Sequence, residues 1–293
     1  MGPVKRLGLL AAITMLAACG SAGGTPGTSP RVSAEPNAGY ALRAVVSQAI
    51  PPTARFTWLP SAFISDDGIV VTQGAVPAIF PGPLVAPLFG AQLSDAGYDQ
   101  LVERARSLGL LDGSGDFSPP NPMPGGQSGT IELLVDGAMH EITGDPNAHI
   151  QCITTPCEAA PGTPEAFGSF WLDLGNLRGL VGDELGADVE YHPEGYALLV
   201  GTPPPDDSGI EPEVAEWVLD TPLAELGERI GADPFPTCAT VRGEDAATLE
   251  AAFAGANQLT MWMDESVSEP VSITVRPLLP GDDPCMDVFG IEA

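Results

Sequence analysis

The chain has 293 residues, of which 39 are acidic and 11 basic, giving a formal charge of −28 at pH 7. A surface this negative repels nucleic-acid phosphates and anionic lipid headgroups, which argues against a DNA or RNA partner. Hydrophobic residues make up 44%, ample for a core, while 35 Gly and 31 Pro imply many loops without the composition of a disordered chain.

The N-terminus opens with Lys5 and Arg6, followed by an apolar run from Leu7 to Ala18. That run is too short to span a bilayer core of ~30 Å as a helix, which needs ~20 residues. A charged start, a short apolar middle and small residues at the exit read as a secretory signal. The stretch Leu16-Ala17-Ala18-Cys19-Gly20 resembles the lipobox of bacterial lipoproteins. The resemblance implies that residues 1–18 are a signal peptide, that Cys19 is thioether-linked to diacylglycerol, and that Cys19 becomes the mature N-terminus. The competing reading is an ordinary signal peptide with an incidental cysteine. Removing residues 1–18 takes away Lys5 and Arg6 and no acid, leaving nine arginines, no lysine and a formal charge of −30. The acids are spread along the chain rather than blocked, so the charge reads as solvation before it reads as a cation site.

Residues 19–40 are rich in Gly, Ser, Pro and Thr and are expected to form a flexible tether. Phe56–Ile64 reads as a strand and Ile69–Thr72 as another, with Asp66-Asp67-Gly68 as the hairpin turn. Residues 75–87 carry four prolines and form an apolar excursion. The clearest helix follows, with Ser94 as N-cap, Leu93 and Tyr98 at the staple positions, and Tyr98, Leu101, Val102, Ala105 and Leu108 on one face. Asp136-Gly137 joins strands 130–135 and 138–143 into a second hairpin. Thr163-Pro164 opens a second helix that runs to Val181, weakened by Gly168, Gly175 and Gly179. Residues 189–200 read as strand material interrupted at His192-Pro193. Thr221–Glu228 reads as a short helix, Cys238–Val241 as a strand, Glu244–Ala254 as a helix, and Leu259–Met263 and Val271–Val275 as strands.

These elements predict an α+β fold with antiparallel sheets and hairpins packed by a few helices, after a disordered N-terminal tether. The expected organisation is an α+β domain over 41–187 and a β-α-β-β unit over 188–293, either separate or continuous. Residues Ala256-Asn257-Gln258-Leu259-Thr260 with Trp262, then Val275-Arg276-Pro277-Leu278-Leu279-Pro280 and Cys285, resemble the C-terminal segment of uncharacterised secreted proteins of actinobacteria. That resemblance implies an extracytoplasmic setting and no particular activity.

With Cys19 lipidated, Cys152, Cys157, Cys238 and Cys285 form an even set outside the cytoplasm, which predicts two disulfides. Three connectivities are possible, and the expected one is Cys152–Cys157 with Cys238–Cys285. A zinc site built from His140, His149, Cys152 and Cys157 is the alternative, although the spacing is not that of a zinc finger. Asp112-Gly113-Ser114-Gly115-Asp116 begins like a calcium loop but continues with Phe117 and reaches Met123 where Glu is wanted. No G-x-S-x-G elbow, P-loop or dinucleotide fingerprint occurs. Asp66-Asp67, Asp206-Asp207 and Asp282-Asp283 read as turn chemistry, and the four tryptophans as core or rim.

The sequence therefore predicts a membrane-anchored extracytoplasmic lipoprotein without cofactor, a non-enzymatic module that binds an envelope protein or a wall component. The alternative is an envelope-acting hydrolase or metal-dependent enzyme using an acid pair or His140 and His149. A pocket holding a bound metal or a His–carboxylate pair within hydrogen-bond reach would overturn the preference for the non-enzymatic reading.

Overall fold

A computed structural model describes residues 39–121, 125–149, 159–202, 209–231 and 236–290. Eight strands build the first sheet: β1 (Tyr40–Ser47), β2 (Ala62–Ser65), β3 (Ile69–Gln73), β4 (Leu88–Gln92), β5 (Asp116–Phe117), β6 (Ser128–Val135), β7 (Ala138–Gly144) and β8 (Val189–Glu190). Their spatial order is β5-β7-β6-β1-β2-β3-β4-β8. All neighbours run antiparallel except β5 and β7. The turn between β6 and β7 has Asp136 at φ 51° and Gly137 at φ 79°. Two successive positive φ values match the right-handed twist of the flanking strands, which is why Asp-Gly serves there.

Three helices cover one face of this sheet: α2 (Asp95–Ser107), α3 (Pro164–Gly175) and α4 (Leu177–Val181). The Ser94 hydroxyl caps α2 by accepting from the Gly97 N–H, and Thr163 caps α3 in the same way from Ala166. Leu42, Ile131, Leu133 and Ile142 of the sheet meet Leu101, Val102, Phe167 and Phe170 of the helices, all buried. Each such side chain removed from water contributes about 1.5–3 kcal/mol. At Gly144 a Cβ would lie 2.5 Å from the Phe167 ring, so glycine lets α3 approach β7 closely. The Tyr98 hydroxyl reaches from α2 to the carbonyls of Leu134 and Ala41, binding the helix to the middle of the sheet.

The second sheet holds β9 (Gly195–Gly201), β10 (Val214–Glu216), β11 (Glu228–Arg229), β12 (Thr237–Arg242), β13 (Met261–Met263) and β14 (Val271–Pro277) in the order β10-β13-β14-β9-β12-β11. Only β10 and β13 pair in parallel. Helix α5 (Glu244–Phe253) packs on one face, where Phe253, Trp217 and Trp262 form edge-to-face pairs. On the other face Ala197, Leu199 and Cys238 meet Phe56 and Cys285 of helix α6 (Pro284–Phe289). Cys238 and Cys285 are joined by a disulfide. The fold is thus α+β, built on two largely antiparallel sheets and six helices among the described residues.

Several elements depart from the sequence reading. Phe56–Ile64 is not one strand: Pro51 and Pro52 start the short helix α1 (Pro52–Arg55), and β2 begins only at Ala62, beyond Pro60. The helix expected over 163–181 breaks at Asn176, whose φ −130° and ψ 50° separate α3 from α4. Thr221–Glu228 yields a single 3₁₀ turn at Leu223–Glu225, because the Asp264 carboxylate accepts from the Leu223 N–H and Gly227 turns left-handed at φ 72°. His192-Pro193 divides two strands of different sheets, β8 and β9, rather than bending one. Strands β1 and β4 and helix α6 stand where no element was expected.

The two sheets are joined directly. The 74–87 excursion crosses to the second sheet, with Pro83 bridging Asn257 and Gln258 N–H donating to the Gly82 carbonyl at 3.0 Å. Leu279 packs with Phe63, Val71 and Leu88 on the face of the first sheet that the helices leave open.

Candidate functional site

The open face of the first sheet carries alternate residues of β1, and Arg43 stands there between Phe63 and Glu132 on the neighbouring strands. Between this face and β14 with α6 lies a cleft of about 690 Å³. That size lies in the ~300–1,000 Å³ range of small-molecule sites. Its walls are apolar where Val45, Trp58, Val76, Leu84 and Val275 line it, and polar where Arg43, Arg55, Arg276, Gln73, Gln258 and Asp287 do. Trp58 is 39% exposed, placed at the rim rather than in a core.

A buried ion network forms the base of this region. The Asp282 carboxylate, 2% exposed, accepts from the Arg276 guanidinium at 2.9 Å and lies 3.7 Å from Arg43. Arg43 also meets Asp287 at 2.9 Å and Glu132 at 4.0 Å. Burial opposes the Arg43 charge, but Asp282 and Asp287 more than offset it and push its pKa up. The Tyr40 hydroxyl is pushed up to about 12 by its own burial and by the hydrogen bond it donates to Glu132. Asp282-Asp283 is therefore more than a turn: Asp282 is an ion-pair centre, and Asp283 caps α6 by accepting from the Met286 N–H.

The arginines of the cleft share a further property. The Nε atoms of Arg43, Arg55 and Arg276 are all buried and make no hydrogen bond among the described residues. Arg55 also has no ion pair among the described residues, in contrast to the other two. It projects from α1, a short helix with no buried residue.

The histidines do not converge. His140 sits in β7 opposite Leu133, His149 turns its Nδ1 to the Pro146 carbonyl at 2.8 Å, and His192 lies beyond β8. His192 Nδ1 does stand 2.6 Å from Glu250 Oε1, so a His–carboxylate pair exists. Its side chain is 65% exposed, and the hydrogen bond with Glu250 pushes its pKa up. Glu250 borders a hollow of about 180 Å³ whose lining includes Tyr191, Tyr196 and Phe253 but no Ser, Thr or Cys. A solvated imidazole with no Ser or Thr hydroxyl and no thiol lining the hollow beside it lacks the usual nucleophile to activate.

Cys19, Cys152, Cys157 and the pair Asp206-Asp207 lie outside the described residues. Among the described residues no group of three or more His, Cys, Asp or Glu side chains is arranged to hold a metal ion. The Asp112–Asp116 loop uses its last carboxylate locally, where Asp116 accepts from the Ser118 N–H at 2.9 Å. No helix among the described residues is long and apolar enough to cross a membrane. Sequence reasoning missed the three arginines of the cleft. Their signal was scarcity: with no lysine and nine arginines after Cys19, three basic side chains at one cleft are a large share.

Compared with known proteins, the chain matches no family model, no curated protein and no solved structure.

Proposed function

We propose that the protein is a lipid-anchored extracytoplasmic module that binds a small ligand, free or part of an envelope protein or wall component, in the cleft between its two sheets. The observation that carries this reading is the cleft itself: about 690 Å³, with apolar walls and three arginines. Pockets with apolar linings and a few placed polar groups are the usual form of small-molecule sites. The lipobox-like stretch at Leu16-Ala17-Ala18-Cys19-Gly20 supports the anchor.

Two measurements test the reading. Native mass spectrometry of the protein extracted gently from membranes should reveal a bound small molecule at one per chain. Ser47→Trp, which places an indole at the cleft wall, should remove it. Cys19→Ala should release the protein from the detergent phase or leave it unprocessed. An empty wild type and a Cys19→Ala variant that still partitions with detergent would overturn the proposal.

The alternative of an envelope-acting enzyme draws on the His192–Glu250 pair alone. It requires that His192→Asn abolish turnover of an envelope substrate, whereas the binding reading predicts that substitutions of His140, His149 and His192 leave cleft binding intact.

A further inference from the structure

We propose that the ligand of the inter-sheet cleft is an anionic amphiphile, with its charged head held by Arg55 and its apolar body lying along Trp58, Val76 and Leu84. This inference rests on the binding reading above and names the chemistry of the ligand.

Charge placement is the first support. In a chain of net charge −28, three arginines line one cleft. Two of them are already balanced. Arg276 has Asp282, and Arg43 has Asp282, Asp287 and Glu132. Arg55 has no carboxylate within ion-pair distance among the described residues. The one arginine of the cleft left without a carboxylate partner among the described residues is therefore Arg55, half-buried on α1.

Unspent donors are the second support. Of the five buried side-chain polar atoms without a hydrogen bond among the described residues, three are the Nε atoms of Arg43, Arg55 and Arg276. The Arg276 side chain is 5% exposed, so its Nε is a desolvated donor at the cleft. Arginine presents its five N–H donors in a planar fork that matches carboxylate and phosphate oxygens. An anionic head satisfies such donors with charge-assisted bonds that a neutral ligand does not make.

The walls supply the rest of the specificity. Trp58 and Val76 remain 39% and 43% exposed at the rim, as apolar surface that a ligand body would cover. No charged residue occurs between Asp67 and Asp95, so the excursion that forms this wall is uncharged throughout. A small inorganic anion would leave that wall uncovered, and a neutral alkane would leave Arg55 unpaired.

The test uses the full mature chain in detergent-free nanodiscs with decanoate, decyl phosphate, 1-decanol and acetate as probes. Binding is followed by calorimetry and by the Trp58 fluorescence, assigned by difference with Trp58→Phe. Decanoate or decyl phosphate should saturate at one per chain, at least tenfold more tightly than 1-decanol, and acetate should not saturate. Whichever anion binds more tightly identifies the head group, and either supports the proposal. Arg55→Gln should bring the ratio of anion to alcohol affinity close to one, and salt should weaken the anion alone. If decanoate, decyl phosphate and decanol bind equally and Trp58→Asp removes all three, the cleft is a binding site and the anion inference is wrong. If no amphiphile binds while a co-purified molecule still occupies the cleft, the inference also fails and the binding reading survives.

Discussion

Replacing Asp282 by Ala removes the only carboxylate that faces Arg276 among the described residues and one of the three among them that face Arg43. Asp282 and Arg276 are 2% and 5% exposed, so water cannot readily take the place of the lost partner. Breaking a buried ion pair by deleting one member costs about 3–5 kcal/mol, because a charge is left buried and uncompensated. Set against a total stability of about 5–15 kcal/mol, that is a large loss. With a urea m-value of about 2–3 kcal/mol/M, the unfolding midpoint should fall by about 1 M or more. The double variant Asp282→Leu with Arg276→Met should lose less than Asp282→Leu alone, since it leaves no unpaired buried guanidinium at that point and Arg43 keeps Asp287 at 2.9 Å. Equilibrium urea unfolding followed by tryptophan fluorescence measures both. A single variant within about 0.3 M of wild type, or a double variant less stable than the single one, would refute the account of uncompensated charge.

The disulfide should matter as much. Cys238 and Cys285 close a loop with a sequence separation of 47, and in the chain-entropy model such a closure is worth about 4 kcal/mol. Cys238→Ala with Cys285→Ala should lower the urea midpoint and abolish the effect of reductant on this region, and a loss under about 1 kcal/mol would contradict it. All four tyrosines have raised pKa values, chiefly through burial: Tyr40 and Tyr196 to about 12, with Tyr98 and Tyr191 also moved up. An unfolded tyrosine ionises near pH 10, so above that the unfolded chain sheds protons the folded chain keeps, and the tyrosine contribution to stability, undiminished below pH 10, should fall through the window from about 10 to 12. Ultraviolet titration should show tyrosinate appearing together with unfolding, and free ionisation at pH 10 in a folded chain would be the contrary result. The His192 imidazole, raised by the Glu250 hydrogen bond and charge, contributes stability that is present below about pH 6.5 and lost as pH rises through its higher folded value. Its NMR titration midpoint should drop in Glu250→Gln, and an unmoved midpoint would mean the pair does not persist in solution.

What the sequence disclosed about the fold is what local chemistry determines. The hydroxyl of Ser94, the Asp136-Gly137 turn and the Asp66-Asp67-Gly68 turn act within a few residues, and all appear where the pattern placed them. The failures are elements whose existence depends on distant partners. Strand β1 lies between β2 and β6 in the middle of its sheet, and nothing in its own eight residues gives a hint of that. Strand β4 begins at Leu88, after the prolines, and is completed by β3 on one side and β8 on the other. Helix α6 is a short segment held by the disulfide at Cys285 and by Phe56, neither of which can be inferred from its own six residues.

The candidate site was hidden for the same reason, and its two parts have different origins. The Arg43–Asp282–Arg276 network draws on β1, β14 and the turn before α6, so it exists only once the first and second sheets meet. Its charges are spent on one another, and it acts as a frame between the sheets. Arg55 stands outside that frame on α1, a short helix with no buried residue, and has no ion pair among the described residues. On the proposed binding, fold and recognition are carried by different arginines of the same cleft. Loss of Asp282 should be read in the unfolding midpoint, and loss of Arg55 in the affinity for an anion. A site arranged this way can change its ligand through α1 and the uncharged excursion without disturbing the ion network that holds the sheets together.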